Sequence, residues 1–217
     1  MTTSNHIIPD WLPPGSTRTM PSTVHQDRGV KYATCASLKI QGRDNITIGT
    51  WNTRMLRAAG KLQELQELTH EMNRYSWNIL GLCEMRWKNF GETTEEGHKV
   101  CFSRKEDKHE HGVGFLVQKD IVNTVMECHS VSSRLITIRL RAVPFNITTV
   151  QAYAPTSDYD YNEIEEFCDQ LQNVIDQTPK KDILVVQGDR NSKVGRDACR
   201  NWQGISSAIT TQWTLLQ

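Results

Sequence analysis

The chain has 217 residues and a mass of 24.8 kDa, with 37% hydrophobic and 23% charged residues. That is enough to bury one good core, so one domain of about 150–200 residues plus a tail is expected. Lys+Arg and Asp+Glu are equal at 25 each, so bulk charge does not announce a nucleic-acid binder. No apolar run is long enough to span a bilayer and no h-region opens the chain, so neither a membrane span nor secretion is expected.

The six cysteines, Cys35, Cys83, Cys101, Cys128, Cys168 and Cys199, are scattered without a C-x-x-C pair. No zinc site is readable from that spacing, and the usage suits a reducing compartment. Cys83 and Cys168 fall in apolar patterns and are expected to be buried thiols. An intracellular location, nuclear or cytoplasmic, is the corresponding expectation.

Residues 1–44 carry four prolines, many Ser and Thr, and little apolar periodicity, which predicts a flexible leader. The domain is expected over 45–205, beginning with the alternating β-rich run Ile46–Trp51. From Gly60 to about Tyr75, Leu62, Leu65, Leu68 and Met72 recur at helical spacing. Trp77–Cys83 then reads as a second strand. Strand, helix and strand in so short a span make a βαβ unit with parallel strands.

Val100–Ser103, Gly114–Gln118, Val122–Cys128, Leu135–Arg141 and Ile147–Tyr153 are short, β-rich and separated by turn signals. They predict an antiparallel meander. A helix follows over Tyr161–Gln177, with Ile164, Phe167, Cys168, Leu171, Val174 and Ile175 on one face. Thr156-Ser157-Asp158 supplies cap candidates, and Pro179 ends the helix. The apolar strand Asp182–Gln187 runs into Gly188-Asp189-Arg190-Asn191.

Charge is uneven around that last corner. Pro155–Thr178 holds seven acidic residues and no Lys or Arg, the pattern of a solvated helix face, whereas Pro179–Arg200 holds six basic residues against three acidic.

Polar groups recur where strands end. Asn52 follows the first strand, Glu84 the second, Tyr153 closes the meander, and Asp189 and Asn191 follow the last. Singly, each has a bland explanation: Asn starts loops, Glu is a surface residue, Tyr-Ala-Pro is a strand exit, and Asp-Asn closes a turn. Four strand ends that all deliver metal- or phosphate-competent groups favour a site, because open α/β sheets carry their chemistry at the carboxyl ends of strands.

Five segments carry a family resemblance: Thr50-Trp51-Asn52-Thr53-Arg54, Leu82-Cys83-Glu84-Met85-Arg86-Trp87, Gly112-Val113-Gly114-Phe115-Leu116-Val117, Gln151-Ala152-Tyr153-Ala154-Pro155-Thr156 and Gly188-Asp189-Arg190-Asn191-Ser192-Lys193-Val194-Gly195. In order, spacing and strand context they resemble the endonuclease/exonuclease/phosphatase family. Within it the chain looks most like the endonuclease domain of non-LTR, LINE-type retrotransposons of the RTE/BovB-like group and their domesticated copies. The resemblance covers roughly residues 46–205. It implies a two-sheet, DNase I-like α/β sandwich with the active site where the sheets meet. It also implies a Mg²⁺-dependent hydrolase, with Mn²⁺ as the alternative ion, acting on nucleic acid, DNA as the expected substrate. By position, Glu84 is the metal ligand and Asn52 supports both metal and phosphate. Tyr153 donates its hydroxyl to a phosphate oxygen, Asp189 orients or activates the attacking water, and Asn191 holds the transition state.

The chain departs from the family in two respects. Family members carry a late Asp-His pair, whereas the histidines here are His6, His25, His70, His98, His109, His111 and His129, and none follows. The family pattern continues through Asn201-Trp202-Gln203-Gly204, and 206–217 is divergent. The expectation is a sandwich lacking its last strands and an impaired nuclease, since loss of a positioned acid or base costs about 10²–10⁴ in rate. The alternative is a catalytically inactive domesticated fragment serving as a binding or interaction module. Arg190 stands where the family usually has Phe, so a loosened loop is expected there. His109 and His111 are expected in a solvated loop.

Overall fold

The computed structural model describes residues 23–27, 30–35, 40, 46–53, 61–85, 87, 90–103, 112–156 and 159–189. Among them, a seven-stranded sheet is built from β1 (Thr23–Asp27), β2 (Val30–Cys35), β3 (Ile46–Asn52), β4 (Ile79–Met85), β5 (Gly91–Glu95), β6 (His98–Ser103) and β7 (Gly112–Val117). Their order is β1-β2-β3-β4-β7-β6-β5. A four-stranded sheet has the order β11-β10-β9-β8, from β8 (Val125–Ser132), β9 (Leu135–Leu140), β10 (Ile147–Tyr153) and β11 (Ile183–Asp189). Helix α1 (Lys61–Arg74) connects β3 to β4, and α2 (Tyr161–Gln177) connects β10 to β11. Both helix-linked strand pairs are parallel, so the expected βαβ unit is present and a second one ends the described chain.

Side-chain alternation explains the layering. On β4, Ile79 and Cys83 face the space between the sheets, while Leu80 and Leu82 pack with Leu65, Leu68 and Met72 of α1. On the other sheet, Ile136, Ile138, Leu140, Ile147 and Tyr153 face inward, while Val150, Ala152 and Val186 pack with Phe167 and Leu171 of α2. The result is the expected two-sheet α/β sandwich with a helix outside each sheet. Phe115, at 0% exposure in the inter-sheet layer, contributes about 1.5–3 kcal/mol by burial alone.

Three sequence expectations are corrected. Part of the expected leader is sheet: β1 and β2 form an antiparallel hairpin, and β2 continues the ladder on β3. Backbone pairing needs no apolar period, so the sequence carried little sign of it. The rest of 1–44 apart from Ile40 lies outside the described residues, as does the tail 206–217. Second, the expected meander is split. β6 and β7 pair in the large sheet, while β8, β9 and β10 pair in the small one. The chain crosses between them through a 3-10 turn, Lys119–Thr124, closed where Thr124 Oγ1 donates to Ile121 O at 2.6 Å. Third, β5 was not expected: Gly-Glu-Thr-Thr-Glu is a polar edge strand with no apolar signal.

Helix α2 spans the expected residues, but its N-cap is Asp160 rather than one of Thr156–Asp158. Asn162 Nδ2 donates to the Asp160 carboxylate at 3.1 Å, and that side chain makes no cap bond to the backbone. Cys83 is fully buried as expected, whereas Cys168 is only half-buried.

Candidate active site

The site is assembled at the carboxyl ends of β3, β4 and β10. On β3, Ile46 and Ile48 face the inter-sheet layer, and Thr50 Oγ1 accepts a hydrogen bond from Gln151 Nε2 at 2.9 Å. Asn52 continues that face. On β10, Gln151 and Tyr153 occupy the matching inward positions, and Gln151 Nε2 also donates to Cys83 Sγ at 2.9 Å.

Glu84 reaches this face through an irregularity that the sequence did not announce. It lies within β4 rather than after it. Strict alternation after Cys83 would send its side chain to the α1 side. Instead the ladder slips: Cys83 pairs with Val113 and Met85 with Gly112, which leaves Glu84 as the bulged residue. Its φ is 60°, in the left-handed region that a non-glycine residue seldom adopts. Met85 thereby joins the α1-side cluster, and the Glu84 carboxylate turns toward Asn52 and Tyr153. Thr53 Oγ1 donates to Cys83 O at 3.0 Å and holds the backbone just ahead of the bulge.

Asn52 Nδ2 donates to Glu84 Oε1 at 2.7 Å, and the Tyr153 hydroxyl donates to the same oxygen across 3.4 Å. The first is a strong charge-assisted contact and the second is long for its type. The Asn52 amide nitrogen is turned to Glu84, and its side chain also carries a carboxamide oxygen, an atom of the hard type that divalent cations take. A half-exposed carboxylate beside a carboxamide oxygen is a set of hard oxygen donors suited to a hard divalent cation.

The register pairs Asp189 with Tyr153 across the parallel β10–β11 ladder. The Asp189 side chain and the whole of Asn191, with Arg190, His109 and His111, lie outside the described residues. Gly188 has φ 156°, and a Cβ there would run into the carbonyl oxygen of Ala152. The glycine is therefore what lets β11 lie against β10 just before Asp189.

Arg134 is a neighbour that sequence reasoning missed. Its guanidinium lies 5.6 Å from the Tyr153 ring centroid and 4.7 Å from that of Tyr159, and its NH1 donates to Tyr153 O at 3.3 Å. It leads from the tyrosine to a cleft of about 440 Å³ that it lines with Ser103, Ser132, Glu163 and Phe167. Only its place in the β8–β9 turn hinted at it, and turns with a basic residue are common.

No protein-family model matches the chain. Over 153 residues, 70% of this chain, it is 35% identical to craniofacial development protein 2 of Bos taurus and, over the same length, 34% identical to that of Tragulus javanicus. The chain spans about a quarter of the length of these relatives (25% and 26%). Among solved structures it resembles a humanized D. rerio TDP2 carrying 14 mutations, with a TM-score of 0.51 and 13% identity, covering 73% of this chain and 66% of that one. Two mixed sheets packed face to face between helices make the DNase I-like α/β sandwich, and the chain is similar in sequence to part of craniofacial development protein 2.

Proposed function

We propose that this domain hydrolyses phosphodiester bonds in DNA with the help of a divalent cation, Mg²⁺ or Mn²⁺, in the manner of retrotransposon-type endonucleases. The observation that carries this reading is the bulge at Glu84, which spends an unfavourable backbone conformation to bring a carboxylate between Asn52 and Tyr153. Such strain, of order 1–3 kcal/mol, persists where function requires it.

Glu84 and the Asn52 carbonyl oxygen hold the cation, which when bound supplies positive charge where a phosphodiester gains negative charge. Asn52 also fixes the Glu84 rotamer through its 2.7 Å bond. The Tyr153 hydroxyl donates to a non-bridging phosphate oxygen. Arg134, resting on the Tyr153 ring, adds attraction for the anionic strand. Asp189, next to Tyr153 in the ladder, takes the proton of the attacking water, and Asn191 donates to the phosphate. Residence in the nucleus or cytoplasm belongs to the same reading.

The test is nicking of supercoiled plasmid by pure, folded protein with Mg²⁺, with Mn²⁺ and with EDTA. Metal-dependent nicking that vanishes in Glu84→Gln and Asp189→Ala supports the proposal. A second reading is a catalytically silent binding module. It is favoured if folded protein shifts DNA in a gel yet leaves it intact under every metal condition.

A further inference from the structure

On another part of the sandwich, β5 and β6 of the large sheet meet β8 of the small one. The hydroxyls of Ser103 and Ser130 pair across this seam, and Ser103 Oγ donates to Ser132 O at 2.8 Å. Further along it, one carboxylate oxygen of Glu92 and the sulfurs of Cys101 and Cys128 all lie within 4.8 Å of one another. We propose that Glu92, Cys101 and Cys128 form a binding site for a borderline-soft divalent cation, with Zn²⁺ the expected occupant, which clips the two sheets together.

The donor set fits. Zn²⁺ takes thiolate sulfur at about 2.3 Å and carboxylate oxygen at about 2.0–2.2 Å in a tetrahedron, so its ligand atoms sit roughly 3.5–3.8 Å apart. Cys101 Sγ is already 3.7 Å from Glu92 Oε1. Closing the remaining separations takes a shift of roughly an ångström, within the reach of side-chain rotation. Lys99 Nζ grips the other carboxylate oxygen, Glu92 Oε2, at 2.7 Å. It thereby fixes the orientation of Oε1 toward the sulfurs, as outer partners of metal ligands do. Its charge also offsets part of the negative charge that two thiolates and a carboxylate bring together.

Cys101 is buried and Cys128 half-buried, and a cleft of about 390 Å³, lined also by Phe90, His129 and Ser130, gives access from solvent. Water from this cleft completes the tetrahedron. Without a cation, the Cys101 thiol and burial together hold the Cys128 thiol well above its ordinary range. On binding, two S–H bonds break, two Zn–S bonds form, and two protons pass to solvent. The site is separate in residues from Glu84, Asn52 and Tyr153 and stands whether or not those cleave DNA. The wide sequence spacing of its ligands hid it, because only the packing of β6 against β8 brings the cysteines together.

The experiment titrates reduced, metal-stripped full chain with Co²⁺ and then with Zn²⁺. A thiolate-to-cobalt charge-transfer band saturating at one equivalent is expected, displaced by Zn²⁺, with a rise in Tm on Zn²⁺ addition. Cys101→Ser and Cys128→Ser abolish the band, and Cys168→Ser leaves it unchanged. Glu92→Gln, at an exposed position that leaves the fold intact, weakens affinity by about tenfold or more. No band in the reduced wild type, a band that survives both cysteine substitutions, or unaltered affinity in Glu92→Gln overturns the proposal.

Discussion

Asn52 and Glu84 lie at the ends of two parallel strands and meet through a 2.7 Å hydrogen bond because β4 is bulged and β3 is not. In an unbroken ladder, the side chain after Cys83 faces α1 and Asn52 faces the other sheet. The extra residue reverses the first of these, and one polar contact then closes over the inter-sheet layer.

The bulge separates stability from function at a single position. Alanine at 84 removes the carboxylate and keeps the penalty for φ 60°, whereas glycine removes both. Glu84→Gly is expected to unfold at higher denaturant than Glu84→Ala, by about 1 kcal/mol. Neither variant is expected to nick DNA. Equilibrium urea unfolding of the pair checks this, and Ala equal to or more stable than Gly speaks against a strained position.

Two glycines guard the approach of the sheets and strands, with different costs. A Cβ on Gly81 would strike Gln151 Oε1, the end of a side chain that Thr50 and Cys83 hold in place. Gly81→Ala is expected to cost about 1–3 kcal/mol through overpacking. A Cβ on Gly188 meets backbone, the Ala152 carbonyl, at a φ of 156° that side chains avoid. Gly188→Ala is expected to cost about 3 kcal/mol or more and to weaken the β10–β11 ladder. Thermal unfolding of both variants ranks them, and a milder effect at 188 than at 81 contradicts this account.

Sequence legibility follows from which forces set each feature. Helix α2 was readable because an amphipathic stripe through Phe167 and Leu171 must face a core. The inward face of β10 and the βαβ unit were readable for the same reason. The bulge was not, since nothing in Leu82-Cys83-Glu84-Met85 distinguishes a slipped register from a regular one. Glu84 was found by motif, and its route into the site came only from the ladder. The β1–β2 hairpin and the polar edge strand β5 escaped because both are held in the sheet by backbone hydrogen bonds, which carry no residue signature. Arg134 and the Glu92–Cys101–Cys128 group depend on packing between distant segments.

Asp182 should matter more for stability than its position before β11 suggests. Its carboxylate accepts from Arg139 Nε at 2.6 Å and NH2 at 3.1 Å, and from Thr148 Oγ1 at 2.9 Å. The carboxylate is buried, at 3% side-chain exposure, and ties β9, β10 and the start of β11 together. Asp182→Ala strands the Thr148 hydroxyl and a partly covered guanidinium, with an expected cost of about 2–3 kcal/mol. Removing Arg139 as well should cost less than the sum of the two single changes. A double-mutant cycle by urea unfolding checks the coupling, and strict additivity contradicts it.

His98 gives the fold a pH-dependent component of known sign. It sits at the start of β6, 2% exposed, with Nδ1 lacking a hydrogen-bond partner. Burial lowers its pKa below the ordinary 6.5, and Lys119 lowers it further, against smaller opposing effects of Glu96 and Asp120. Above pH 6.5 both folded and unfolded chains hold the imidazole neutral, and it contributes no pH dependence. As pH falls below that value the unfolded chain takes up the proton first, so stability drops until the folded-state pKa is passed. In a His98→Gln variant this component of the acid limb is absent. Urea midpoints measured from neutral pH down to mild acid should therefore converge, the wild type losing more stability than the variant. Parallel pH profiles for the two proteins would show that the buried ring does not titrate against folding.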